Sequence, residues 1–207
     1  MLQPPISKRT TTVFSICIIV FVLAAILAIS NAPSGIETSV FHWFNNGSST
    51  ITSIAKVVTE AGSLPHSFLL WALAAFFIGG RLAAAQLLVG GLGAAAVCQI
   101  AKETIARGRP EALFEQLHLY VGASDGYGFP SGHSTFAAVC ATILFFYVKK
   151  PIYRAGLVLL AITIGLSRMY LGPHLPLDVV GGWALGTACG IAVISGWRYM
   201  PARFQFT

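Results

Sequence analysis

Three polar clusters interrupt an otherwise apolar chain: Lys102 through Arg109 and Pro110, Pro130-Ser131-Gly132-His133, and Ser167-Arg168 followed by His174 and Asp178. Ionisable groups beside long apolar runs are costly at membrane depth and mark functional sites. Arg109 and Arg168 supply guanidinium forks that match phosphate oxygens with paired hydrogen bonds, and Lys102 adds a point charge. Pro110 fixes the chain direction after Arg109. Arg107 is the weaker candidate, because a helical continuation points it away from Arg109. Ser131 and Gly132 open an apolar segment, where unpaired N–H groups and the helix dipole favour an anion. Ser131 adds a hydroxyl, and Gly132 lets the backbone approach closely. His133 stands at that mouth, placed to hand a proton to a departing alkoxide.

His174 and Asp178 are four residues apart, a spacing that shares one face of a helical turn. The carboxylate can hold one ring nitrogen protonated and leave the other free as a nucleophile. Pro173 and Pro176 disfavour a regular helix there, so the pairing must come from the shape of the loop. Taken singly, each cation is an ordinary snorkelling group and each histidine an ordinary structural one. Three cations with two imidazoles and an anion-ready helix start suit a phosphate ester.

No metal or cofactor is expected. The seven acidic residues are scattered, and only Asp178 belongs to a histidine motif; a Mg²⁺ or Ca²⁺ site needs convergent carboxylates. Glu103, beside Lys102, is expected to face elsewhere. Cys17, Cys98, Cys140 and Cys189 lie far apart within apolar runs, which reads as core packing.

The elements that must position these groups are membrane helices. The chain has 207 residues, 56% hydrophobic and 10% charged, against about 25% charged in a soluble domain. The expectation is one all-α polytopic membrane domain over 1–207, with its motif-bearing core at 102–178. Six apolar stretches predict a six-transmembrane-helix bundle: 12–30, 64–80, 82–105, 131–148, 152–171 and 178–197. Pro65 suits a first helical turn, and Gly79-Gly80-Arg81 a tight reversal. Lys8 and Arg9 precede an apolar run longer than the ~7–15-residue core of a signal peptide, so a retained anchor is expected. Phe41, Trp43 and Phe44 suit an interfacial belt, and Ile51, Ile54 and Val58 a short surface helix. Gly182, Gly186 and Gly190 form a small-residue stripe for close helix packing within a monomer, with a weak homodimer face as the alternative. The net charge of +6 comes without the basic stripe of a nucleic-acid binder.

Six spans place the four motif-bearing helix ends on one membrane face, so the active site is expected there. Lys8, Arg9, Arg81, Lys149, Lys150, Arg154, Arg198 and Arg203 fall on the opposite side. Lys56, Lys102, Arg107, Arg109 and Arg168 fall on the site's side. The positive-inside rule then puts both termini in the cytoplasm and the site outside it.

The segments KETIARGRP, PSGH and SRMYLGPHLPLD, in this order and spacing, resemble the type 2 phosphatidic acid phosphatase superfamily of integral-membrane lipid phosphate phosphatases. The resemblance implies a six-helix core and a metal-independent phosphatase. It implies His174 as a nucleophile that becomes a phosphohistidine, Asp178 as its orienting group and His133 as the acid for the leaving group. It implies Lys102, Arg109, Ser131, Gly132 and Arg168 as phosphate ligands, with water regenerating the enzyme. Candidate substrates are phosphatidic acid, phosphatidylglycerol phosphate and a polyprenyl diphosphate such as undecaprenyl diphosphate. Small size and short loops fit a bacterial inner (plasma) membrane enzyme. Related soluble haloperoxidases share the residue pattern, but the apolar spans oppose that reading. Resolution of the intermediate by a lipid hydroxyl would make the protein a phosphotransferase. A lipid or anion transporter fits less well, because the charges cluster at one face and no repeat is seen.

Overall fold

A computed structural model describes residues 7–63, 67–122 and 125–199. Pro65 and Arg203 lie outside the described residues. Eight helices follow in chain order: α1 Lys8–Ile29, α2 Gly35–Asn45, α3 Ser49–Glu60, α4 Phe68–Ile105, α5 Pro110–Leu113, α6 Gly132–Tyr147, α7 Pro151–Tyr170 and α8 Pro176–Gly196. A 3₁₀ turn at Trp197–Tyr199 ends the described chain, and no strand occurs among the described residues. The helix starts are written in the sequence. Ser7, Ser34 and Ser131 cap α1, α2 and α6 with their side chains, and proline opens α5, α7 and α8, where its missing N–H costs nothing.

Four segments are long and apolar enough to cross a membrane by length and composition: Lys8–Ile29, Phe68–Leu113, Pro151–Tyr170 and Pro176–Tyr199. Gly132–Tyr147 is a shorter apolar helix. Their outward faces carry large apolar side chains such as Ile19, Leu23, Leu92, Ile100 and Leu159, all more than half exposed. Such surface is unfavourable in water and suited to lipid. The protein is an integral membrane protein.

The long helix α4 is broken at Gly80, whose φ of 73° and ψ of −164° belong to a region open essentially to glycine alone. The break reverses the chain. A methyl group on Gly91 would sit 2.6 Å from the Phe68 ring, so residues 68–79 and 81–105 run side by side. The reversal expected at Gly79-Gly80-Arg81 is therefore present inside what is formally one helix.

Helix α6 is the axis of the bundle, buried on nearly every side from Ser134 to Leu144. Phe136, Val139, Cys140 and Ile143 pack with Trp71, Leu87 and Ile194 in the main apolar cluster. Helix α8 lies against α6 through the glycine stripe. Side chains at Gly182 and Gly186 would meet the α6 backbone, at the carbonyls of Ser131 and Thr135, and one at Gly190 would meet Thr142. This stripe is thus covered within the chain.

Two short helices form a collar at the end where α4 finishes and α6 begins. The short helix expected here is present as α3, with Ile51 and Ile54 more than half exposed, but Val58, expected on the same outward face, packs against Ala137, Ala161 and Ile164. Helix α2 departs from the reading of this stretch as an interfacial belt. It buries Glu37, Phe41 and Asn45 on one face; Phe41 stacks on Phe114 at 5.5 Å, and Trp43 alone of the three aromatics is largely exposed, at 76%.

The Gly186 contact predicts a graded outcome. Gly186→Val forces its side chain into the Thr135 carbonyl and should destabilise the protein by at least about 1–3 kcal/mol. Gly196→Ala, at a position with open space around it, should change little. Thermal unfolding in detergent measures both.

Candidate active site

The site is assembled where α4 ends, α6 begins, and α7 turns into α8. Helix α4 stops because Ala106 adopts the left-handed conformation, φ 50° and ψ 37°, with its N–H still bonded to the Lys102 carbonyl at 2.8 Å. Lys102, in the last turn, sends its ammonium to the Tyr127 carbonyl at 2.5 Å. Beyond Ala106 the chain is no longer helical, so the helical argument that turned Arg107 away does not apply. Arg107 has no solvent exposure. Its guanidinium bonds both carboxylate oxygens of Glu37, at 2.7 and 3.0 Å, and Oδ1 of Asp178 at 2.9 Å. Burial alone would lower its affinity for a proton. The Glu37 hydrogen bonds and the Asp178 charge outweigh that and push its pKa up.

Arg109 reaches across the same loop. Its guanidinium donates to the carbonyls of Gly126, Asp125 and Pro173 at 3.0, 3.2 and 3.3 Å. It thereby ties the segment before α6 to the residue preceding His174. Arg168, buried at the end of α7, donates to the Thr59 hydroxyl at 3.0 Å, and its Nε has no partner.

Helix α6 offers its N-terminus to this ring of cations. The Ser131 hydroxyl caps the helix, accepting from the Ser134 N–H at 3.4 Å. The first helical bond runs from Thr135 N to the Ser131 carbonyl, so the N–H groups of Gly132 and His133 precede it. Ser131 N donates to the Asp178 carbonyl at 2.9 Å, joining two motif segments through backbone alone. Beside this start lies a cavity of about 230 Å³ lined by Lys102, Gly132 and His133 with Ala95, Cys98 and Phe136. A Cβ on Gly132 would meet nothing within 4 Å, so this backbone is open to an approaching group.

His174 sits in the tight connection between α7 and α8, 3% exposed. Leu175 is the N-cap of α8, so His174 and Asp178 do not share a helical turn. Asp178 Oδ2 instead bonds the Leu175 N–H at 2.9 Å, the carboxylate half of a capping box. His174 Nδ1 lies 3.4 Å from that same oxygen. This is ion-pair range but longer than a formed N–H···O bond, and Nδ1 is otherwise unpartnered. Burial, then the fields of Lys102, Arg168 and Arg109, push the His174 imidazole well below the ordinary histidine value, against a smaller upward pull from the Gly128 backbone.

All eight predicted residues therefore gather at one end of the bundle. Sequence reasoning missed two further participants, Arg107 and Glu37. Glu37 carried a signal: Ser34 and Glu37 have the capping-box spacing, and the Ser34 hydroxyl accepts from the Glu37 N–H at 3.1 Å. Glu103 faces away as expected, accepting from Gln99 at 2.6 Å. Among the described residues no three His, Cys, Asp or Glu side chains converge as metal ligands. Two carboxylates, Glu37 and Asp178, pair with Arg107, and Lys102, Arg109 and Arg168 bring positive charge to His174, a field suited to an anion.

Comparisons with known proteins bear on the family and the fold. A sequence-family model described as the PAP2 superfamily matches residues 83–201. The undecaprenyl-diphosphatase of Sulfolobus acidocaldarius is 32% identical over 89 residues, covering 43% of this chain and 43% of that protein. The chain spans less than half the length of the curated relatives it matches. The crystal structure of Aquifex aeolicus LpxE superposes with a TM-score of 0.71 at 27% identity, over 78% of this chain and 96% of that one. The PAP2-type phosphatidylglycerolphosphate phosphatase of Bacillus subtilis superposes with a TM-score of 0.72 at 20% identity, over 95% and 99%.

Removing the buried guanidinium leaves two carboxylates without their counter-ion. Arg107→Met should destabilise the protein by about 3–5 kcal/mol, the range for breaking a buried pair. Arg107→Lys, which keeps the charge but cannot fork, should fall between the two. Denaturant unfolding in mixed micelles gives the ranking.

Proposed function

This chain belongs to the PAP2 superfamily, and from that membership we propose that it is a membrane lipid phosphatase that works through a phosphohistidine. The observation that carries the proposal is the nearness of Lys102, Arg109, Arg168 and His133, the last at the α6 N-terminus, to buried His174. Lys102, Arg109 and Arg168, with the Gly132 and His133 N–H groups, hold the non-bridging phosphate oxygens and the charge that builds on them. Ser131 keeps the helix start in place as its cap. His174 Nε2 attacks phosphorus, forming a P–N bond as the bond to the lipid oxygen breaks. Asp178, in contact with Nδ1, stabilises the positive charge that the ring gains. A dianion beside His133 favours its imidazolium, which donates a proton to the leaving oxygen. Neutral His133 then takes a proton from water, whose oxygen displaces His174 and releases phosphate.

The substrate is a phosphomonoester or diphosphate of a lipid. Relatives named for undecaprenyl diphosphate and phosphatidylglycerol phosphate, together with phosphatidic acid, define the panel to assay. Six membrane crossings follow if residues 68–79 and 81–105 count as separate spans. With the positive-inside rule, the proposal is that both termini are cytoplasmic and the site is on the other side of the inner (plasma) membrane of a bacterium. A site at the bilayer boundary lets the lipid tail stay in the membrane while the head enters.

Purified protein should release phosphate from at least one lipid in this panel, and His174→Ala should lower that rate more than about 10³-fold. Absence of release from every lipid, or full activity in His174→Ala, would refute the reading. The acid limb supplies a further check. His174 must be neutral to attack, and its depressed pKa puts the acid limb of kcat/KM below pH 6.5. Lys102→Met removes a field that lowers that pKa, so the limb should move to higher pH on the same substrate.

A further inference from the structure

The end of the bundle remote from the active site holds a second, larger groove. It has a volume of about 740 Å³, within the ~300–1,000 Å³ range of small-molecule sites. Its walls come from the first turns of α1 and from α6, α7 and α8, with Ala141, Phe145, Val158, Ile162, Trp183 and Ile191 facing it. Val158 and Ile162 are 47% and 38% exposed, so the groove opens sideways to the hydrocarbon of the bilayer. In the wall, the Trp183 indole N–H is already bonded, to the Ala161 carbonyl at 2.9 Å.

The mouth is different. Arg9 on α1 and Arg154 on α7 both line it, with Thr10 beside them. Arg154 is held there by its Nε bond to the Val148 carbonyl at 2.8 Å and by the Phe145 ring, 4.8 Å from its guanidinium carbon. Lys8, Lys149 and Lys150 flank these helix starts. Among the described residues no side-chain carboxylate answers them. The chain's seven acidic residues are Glu37, Glu60, Glu103, Glu111, Glu115, Asp125 and Asp178, and all belong to the collar, loops and helix ends around the active site. Both helices also begin with cations at the positive end of their dipoles, an arrangement that an anion relieves.

We propose that this groove binds one anionic glycerophospholipid of the leaflet opposite the active site, its phosphate between Arg9 and Arg154 and an acyl chain along the Trp183 wall. The apolar trough calls for a hydrocarbon chain, and the uncompensated guanidinium pair calls for a negative headgroup. A soluble anion would leave the trough unfilled, and a zwitterionic lipid would leave the charge unanswered. The lipid fills the space between the first turns of α1 and α7. This site is separate from the catalytic residues and does not depend on the reaction proposed for them.

Native mass spectrometry of the wild-type protein with equal phosphatidylglycerol and phosphatidylcholine of the same chains tests the proposal. Two cations near one headgroup predict about tenfold preferred retention of phosphatidylglycerol. Arg9→Gln/Arg154→Gln should abolish that preference, and Val158→Trp, which fills the trough from its lipid side, should lose the bound lipid. Neither variant touches the residues around His174, and an unchanged thermal unfolding midpoint in detergent serves as the measure of correct folding. Equal retention of the two lipids by the wild type would overturn the proposal. An unchanged preference in Arg9→Gln/Arg154→Gln would do so as well, by placing the lipid elsewhere, including at the active site. A dimer that Val158→Trp dissociates would also overturn it, by making a second copy the occupant.

Discussion

A single guanidinium with no access to solvent sets the geometry of this site. Arg107 bonds both oxygens of Glu37 and one of Asp178, so it joins α2, the segment after α4, and the first turn of α8. Planar fork geometry is what makes this possible, since one side of the group serves Glu37 while Nη1 also reaches Asp178. Glu37 extends the network by accepting the Leu177 N–H at 3.0 Å. Asp178 is thereby fixed from three directions: Arg107, the Leu175 N–H, and the Ser131 N–H on its own carbonyl. A carboxylate so held gives His174 a charge of fixed position.

The scaffold supplies the second constraint. The glycine stripe of α8 lets its backbone touch that of α6, and this closeness carries Asp178 to the start of α6. Loops do the remaining positioning. Asn31 accepts the Gly108 N–H at 2.7 Å, the Arg107 carbonyl accepts the Gly128 N–H at 2.8 Å, and the Leu171 carbonyl accepts the Tyr120 N–H at 3.0 Å. The long connection between α4 and α6 is thus stitched to α1, to itself and to the α7–α8 turn. The candidate site residues carried on such a framework are held in place by backbone as much as by side-chain contacts.

Most of this was legible in the sequence, and for identifiable reasons. The long helices announce themselves by apolar runs with serine caps and first-turn prolines. Gly80 marked the reversal within α4 because only glycine suits that backbone. The eight site residues were legible because the combination of their types has few uses other than binding a phosphate. Arg107 was not: the span ends at residue 105, as the apolar run predicts, but helical geometry carried past that end turns Arg107 away from Arg109. Glu37 was hidden by distance: 70 residues separate it from Arg107, and no local pattern reports a partner so remote. Phe41 misled for a related reason, since an aromatic cluster near a span suits the interface equally well until Phe114 folds over it.

The central claim is that these cations and imidazoles enclose a phosphate-like anion against His174. An experimental structure of the protein with orthovanadate bound would test it most directly. The account predicts vanadium at bonding distance from His174 Nε2, with its oxygens on Lys102, Arg109, Arg168 and the α6 N-terminus. Vanadate bound elsewhere with that pocket empty, or His174 turned away from it, would contradict the account.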